Sequence, residues 1–326
     1  MKAGSNSNTI FAARNSFFLK VYHSLEEFPG AVNPVVTIGT FDGVHAGHLM
    51  IIRRLKEIAL ATKGETVVLT FFPHPRLVLQ PEDNELKLIT TMGERMSLLE
   101  RHGIDHLIIL PFSREFSRMS AVEFVRDILV QKIGTNTLVI GYDHHFGRNR
   151  EGSYKDLEEM AVMYNYQLEE IPKHVINEVS VSSTKIRKHL AEGEVAEANN
   201  LLGHDFLLEG KVIEGDRIGK DLGFPTANFS IDDPFKLIPR HGIYAAEIEV
   251  KSRKFKGMLY IGTRPVVDGM KLSIEVNIFD FNENIYGESI RVYLKHWIRP
   301  DMKFSGLDEL KKKMQEDKLF ATKLLS

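Results

Sequence analysis

The chain has 326 residues, 43% hydrophobic and 26% charged, the balance of an ordinary globular protein long enough for two cores. The formal net charge is -2 with no basic stripe, so no nucleic-acid partner is expected, and zero cysteines remove any disulfide framework or thiolate metal site. No apolar run approaches the roughly 20 residues that cross a bilayer, so no membrane partner is expected, and the composition fits the cytoplasm.

Residues 1–17 read as a flexible extension, because Arg14, Asn15 and Lys20 interrupt every stretch that could serve a signal peptide. From Pro34 to Leu202 short buried strands alternate with amphipathic helices. Strands are predicted over 35–39, 66–72, 106–110, 137–141 and 167–171, and helices near 47–62, 93–102, 120–132 and 153–164. Continuous apolar runs such as "TVVLTFF" suit strands covered on both faces. The alternation predicts an α/β unit with a parallel, doubly wound sheet, which binds ligands beyond the carboxyl ends of its strands. Two short helices, 184–192 and 194–202, meet at Gly193 and join the halves.

After Gly203 the period becomes two. In "KLSIEVNIFD" the residues Leu272, Ile274, Val276 and Ile278 share one face, while Ser273, Glu275 and Asn277 share the other. With 242–250, 254–262, 289–297 and strands on either side of Gly215–Gly223, this predicts an antiparallel barrel or sandwich. A terminal helix over about 306–325 follows.

The stretch "TIGTFDGVHAGHLMIIRRLKE" reads as strand, glycine turn and helix start. A helix amino terminus offers unpaired N–H groups and about half a positive charge, so it attracts anions. Gly39, Gly43 and Gly47 let a phosphate approach the backbone, and His45 and His48 can both face it as donors. Two other readings stand beside this one: surface histidines without a role, and a zinc site completed by His144 and His145.

"GTFDGVHAGH" resembles the His-x-Gly-His signature of nucleotidyltransferases, in the form found in prokaryotic bifunctional riboflavin kinase/FAD synthetases. "TFFPHPRLVL", "VIGYDHHFGRNREGS", "VSSTKIRKHLAEGEVAEANNLLG" and "GDRIGKDLGFPTANF" resemble the same family and follow in its order. The resemblance implies an FMN adenylyltransferase domain over 18–188, a helical linker over 189–204 and a riboflavin kinase barrel over 205–326. It implies that His45 and His48 act in catalysis and that Gly39, Phe41, Gly47, Asp143, Ser183, Thr184 and Arg187 bind ATP. Phe146 and Gly147 are expected at the flavin. The family often has a basic residue where Ala46 stands, and an aromatic or basic one where His144 and His145 stand.

The spacing in "GDRIGKDLGFPTANF" is wrong for a P-loop: three residues separate Gly215 from Gly219, and Asp221 follows Lys220. Read without the family, it is a glycine-rich corner of the barrel. The resemblance makes it the kinase site, with Gly219, Lys220, Gly223 and Pro225 on ATP, and Thr226 and Asn228 on Mg²⁺. Glu275, an ordinary exposed carboxylate on pattern alone, becomes the implied catalytic base, and Arg291 an implied flavin contact. Val266 departs from the family's usual Thr.

The implied activity is riboflavin plus ATP to FMN, then FMN plus ATP to FAD and pyrophosphate, with Mg²⁺ as cofactor and ATP as co-substrate. Riboflavin, FMN and ATP are the expected partners, with at most a weak homo-oligomer. Two other readings are a relative of class I aminoacyl-tRNA synthetases and a non-catalytic flavin sensor. The lack of a basic RNA-binding region argues against the first, and retention of His45, His48 and Glu275 against the second.

Overall fold

Runs rich in Val, Leu and Ile build the inner strands of the first sheet, which has six parallel strands in the order β1-β4-β3-β2-β5-β6, with the more polar β1 and β6 at its edges. These are β1 (Lys20–Tyr22), β2 (Val35–Ile38), β3 (Thr66–Phe72), β4 (His106–Pro111), β5 (Thr137–Gly141) and β6 (Gln167–Ile171). The computed structural model describes residues 18–82, 86–142, 146–148, 151–171, 181–215, 223–266 and 269–326. Successive strand residues enter opposite cores: Val36, Ile38, Val67 and Leu69 pack on one face, Val35, Val68, Leu107 and Val139 on the other. Helices cover both: α1 (Ala46–Thr62), α2 (Pro75–Leu79), α3 (Met92–Arg101), α4 (Ala121–Glu123, running on into a wider-wound stretch Phe124–Ile133) and α5 (Tyr154–Tyr164). The strand order reverses between β2 and β5, so the turns after these two strands flank the crevice where such sheets take ligands.

Helices α6 (Ser183–Glu192) and α7 (Val195–Leu202) lead into β7 (Phe206–Ile213), β8 (Ala227–Ser230), β9 (Gly242–Val250), β10 (Arg253–Val266), β11 (Gly269–Ile278) and β12 (Ser289–Arg299). These strands close antiparallel into a barrel, in the order β10-β11-β8-β7-β12-β9, and α8 (Leu307–Leu324) follows. The barrel therefore replaces the alternative of a sandwich. Its interior takes the period-two apolar residues Leu259, Ile261, Ile274, Val276 and Ile278. Ile186 and Leu190 of α6, with Val195, Ala198 and Leu202 of α7, share that core, so both joining helices pack with the barrel.

The lobes meet through buried charge. The Lys236 ammonium reaches Glu94 Oε2 over 2.6 Å and donates to the carbonyls of Ile89 and Leu207, each at 2.7 Å. Glu94 Oε1 in turn accepts from the Glu209 amide at 3.1 Å, and Leu88 bridges to Lys236. Arg291 extends this face, pairing with Glu209 at 3.1 Å and donating to Ser97 of α3 at 3.4 Å.

Candidate active sites

The turn between β2 and α1 is wound in the left-handed region: φ is +48° at Phe41, +86° at Gly43 and +41° at Val44. Side-chain residues accept such angles only where their surroundings hold them. Here Phe41 and Val44 are buried, and Asp42 is gripped on all sides. Asp42 accepts from the amides of Ile89 and Thr90, at 3.2 and 3.0 Å, and pairs with Arg187 of α6 at 2.5 Å. His204 contacts the Gly43 carbonyl at 2.9 Å.

His45 is the N-cap of α1, its Nδ1 accepting from the His48 amide at 3.3 Å. The two rings stack 3.7 Å apart and 9° from parallel, so they form one surface. Burial pushes His45 down to about 4 and His48 well below its ordinary value, where the adjacent His45 ring adds to the effect. Neutral imidazoles result, offering N–H groups and lone pairs with no fixed charge; His48 Nδ1 is buried with no partner among the described residues.

The start of α6 closes on this turn. Ser183 Oγ donates to the Asp42 carbonyl at 3.3 Å, and a Cβ on Gly47 would meet Val181 Cγ1 at 3.1 Å. Two helix amino termini thus come together beside the stacked imidazoles, doubling the partial positive charge available to an anion. Ser182 caps α6, and Thr184 is exposed beside it. Arg187 is already committed to Asp42 and to the Lys87 carbonyl at 2.7 Å, so in this state it braces the turn. Two residues missed in sequence join the group. Arg95 is buried with its Nε unpartnered among the described residues and lies 4.0 Å from Asp42; His74, pushed down to about 4 chiefly by burial, feels Asp42, Arg95 and Arg187. Asp42 was also missed, although a short acidic residue between Phe and Gly in a tight turn is itself a signal.

Phe146 packs in the sheet core, 6.1 Å from Phe124, and Gly147 has φ +72° with Ala121 too close to admit a Cβ. Both stand after β5, on the crevice side of the strand reversal, with the Phe146 ring serving the core. Asp143, His144 and His145 lie outside the described residues, as do Gly219 and Lys220.

In the barrel, Glu275 of β11 faces Asn228 of β8 in register, and Thr226 precedes β8. Thr226 Oγ1 donates to Glu275 Oε2 at 3.3 Å, Ser273 Oγ donates to Oε1 at 2.9 Å, and Arg264 of β10 pairs with Oε1. The carboxylate points out of the barrel wall yet is only 10% exposed, unlike an ordinary surface acid. Asn277 ties Pro225 down, donating to its carbonyl at 2.7 Å, and Gly223 turns at φ +84°. Gly215 lies against the Asn228 amide where a Cβ would collide. A cavity of about 350 Å³ opens here, lined by Pro225, Thr226, Ala227, Phe281, Asn284 and Tyr286. Hydroxyl, amide and carboxylate oxygens in one cluster are the donors a hard cation prefers, so the residues fit Mg²⁺.

Arg291 does not join this group. It lies on β12, which is separated from β11 by β8 and β7 in the barrel, and its guanidinium is held by Glu209 and Glu249 against α3. Its alternation in the strand matched that of Glu275, but barrel closure put the two residues on different walls.

The comparisons divide the chain as the lobes do. A family model for FAD synthetase matches residues 30–185, and one for riboflavin kinase matches 202–325. A bifunctional riboflavin kinase/FMN adenylyltransferase of Listeria monocytogenes is 36% identical over 90% of this chain and 94% of its own. One from Escherichia coli K12 is 34% identical, over 92% and 95%. A crystal structure from Streptococcus pneumoniae, described as a macrolide-efflux protein, matches with TM-score 0.81 at 29% identity, covering 93% of this chain and 98% of that one. Among the described residues of this chain no helix is long and apolar enough to cross a membrane. With relatives aligned along both lobes, the chain belongs to the bifunctional riboflavin kinase/FMN adenylyltransferase family.

Proposed function

We propose that the barrel phosphorylates riboflavin and the amino-terminal lobe adenylylates the FMN so formed. The supporting observation is that each lobe presents its own chemistry: oxygen ligands and a carboxylate in one, converging helix termini and stacked imidazoles in the other.

In the barrel, Glu275 accepts the proton of the riboflavin 5′-hydroxyl as that oxygen attacks the γ-phosphorus of ATP; the bridging oxygen leaves with ADP. Thr226 and Asn228 would hold Mg²⁺, which when bound offsets charge on the phosphates. Gly223 and Pro225, with Gly219 and Lys220, form the proposed nucleotide turn.

In the amino-terminal lobe, an FMN phosphate oxygen attacks the α-phosphorus of ATP and pyrophosphate departs. Gly39, Phe41, Gly47 and the α1 amides line the phosphate cradle, with His45 and His48 donating to charge that builds there. Ser183, Thr184 and Arg187 approach from α6, and Asp143 with Gly147 completes the nucleotide and flavin side. No enzyme nucleophile is needed, because positioning and charge stabilisation carry such transfers. The proposed compartment is the cytoplasm, where the ATP both steps consume is made.

Incubation with riboflavin, ATP and Mg²⁺, followed by chromatography of the flavins, tests the reading. FMN appearing first and FAD after it is the expected result. FMN alone refutes the transferase assignment, and absence of both products refutes the whole.

A further inference from the structure

The two oxygens of Glu275 are held unequally. Oε1 receives the Ser273 hydroxyl at 2.9 Å and the Arg264 guanidinium, whereas Oε2 meets Thr226 Oγ1 at a looser 3.3 Å. Strand register produces this asymmetry. Tyr260 of β10 stands opposite Glu275, and Arg264, opposite Lys271, falls on the same outward side four residues on. Leu259 and Ile261, the residues on either side of Tyr260, take the inward positions. Tyr260 is engaged elsewhere, its hydroxyl donating to Asp301 at 3.0 Å, so Arg264 supplies the cation at the carboxylate.

We infer that Arg264 is a positioning residue for the kinase step: with Ser273 it anchors Oε1, and so presents Oε2 as the oxygen that takes the hydroxyl proton. The inference rests on the reading of Glu275 as base. A free Glu side chain samples several rotamers, and only some aim a lone pair at an incoming hydroxyl. A guanidinium in a planar fork and a hydroxyl from the same strand remove that freedom before substrate arrives. As the substrate O–H proton passes to Oε2, the new O–P bond forms, the β–γ bridging bond breaks, and ADP keeps the electron pair. Thr226, at 3.3 Å the looser of the two hydroxyl partners, is the one the substrate hydroxyl would displace at Oε2.

Steady-state kinetics of the full chain test this, with Arg264→Gln, Arg264→Lys, Ser273→Ala and Glu275→Gln measured side by side. Arg264→Gln should lower kcat for riboflavin phosphorylation about 10- to 100-fold, with KM for ATP and riboflavin within about twofold. Arg264→Lys should recover part of kcat, since it restores charge without the fork. Ser273→Ala should cost less, and all four variants should still convert supplied FMN to FAD, which reports that the chain is folded. An unchanged kcat in Arg264→Gln, or a loss confined to KM for ATP, overturns the anchor. Should Arg264→Gln fail to fold, Ser273→Ala with unchanged kcat overturns it equally. Glu275→Gln separates the two readings: a fall of about 10²–10⁴-fold upholds the base. If its turnover is normal, base and anchor are both refuted; if it falls while Arg264→Gln does not, the anchor alone is refuted.

Discussion

Two imidazoles stacked at a helix start are an uncommon choice, since both cannot hold protons at 3.7 Å without strong repulsion. Their depressed pKa values make acid sensitivity a property of this turn. In the unfolded chain each ring protonates near 6.5, whereas folded His45 resists until about 4. The unfolded state therefore binds more protons across that interval, and stability falls as pH drops from about 6.5 towards 4. Denaturant midpoints should decline over this window, and His45→Asn, which can still cap α1, should flatten the decline; an unchanged slope in the variant contradicts the assignment. For His48 the proposed role is catalytic. His48→Ala should cost FAD synthesis roughly 3–4 kcal/mol of transition-state stabilisation, as for the loss of one oxyanion donor, and leave FMN synthesis intact. Undiminished FAD synthesis reduces His48 to a packing role. At this scale the sequence singled out His45, His48 and Glu275 as candidates because their motifs are local. Arg264 and Arg95 escaped because their partners lie on other elements, and only folding shows which charge meets which; Asp42 had a local turn signal, but its grip on Ile89, Thr90 and Arg187 is visible only in the fold.

Helices α1 and α6 are separated by more than a hundred residues, yet Ser183 at the start of α6 donates to the turn before α1, and Val181 stands so near Gly47 that an added Cβ would lie 3.1 Å from it. Gly47→Ala would put a methyl 3.1 Å from Val181 and 3.3 Å from the His45 ring, prising the start of α6 from the turn. FAD formation should fall roughly tenfold or more while riboflavin phosphorylation is spared, since small displacements at a phosphate cradle are costly. Equal activity in the variant would mean that the two termini need not touch. Most elements were legible, because a buried parallel strand writes itself as a continuous apolar run, and the more polar edge strand 167–171 follows from strand-helix alternation. Predicted strands at 66–72, 137–141 and 167–171 match β3, β5 and β6 to the residue. The edge strand β1 was missed: three residues with one exposed end leave no periodicity to read. Closure of the barrel was equally illegible, since alternation fixes the face of a residue but says nothing of which strand returns to which.

The lobes are bound by a pair of charges removed from water. Burial pushes the Glu94 carboxyl up and the Lys236 ammonium down, each against the pull of its partner. Removing one member strands the other, so Lys236→Met should destabilise the chain by roughly 3–5 kcal/mol. Chemical denaturation measures this, and adding Glu94→Gln should recover part of the loss. A cost below about 1 kcal/mol would class the pair with surface bridges. Sequence alone gave no sign of the pair, since a lone Lys and a lone Glu 142 residues apart look like solvated side chains.

Glu94 also closes a capping box with Thr91, and the segment just before it, Ile89 and Thr90, donates to Asp42. Severing the gene between the lobes would therefore do more than separate two catalysts. The liberated front half would keep a carboxylate built for a lysine it no longer owns, on the helix whose leading residues hold Asp42 and with it the turn proposed to cradle the nucleotide.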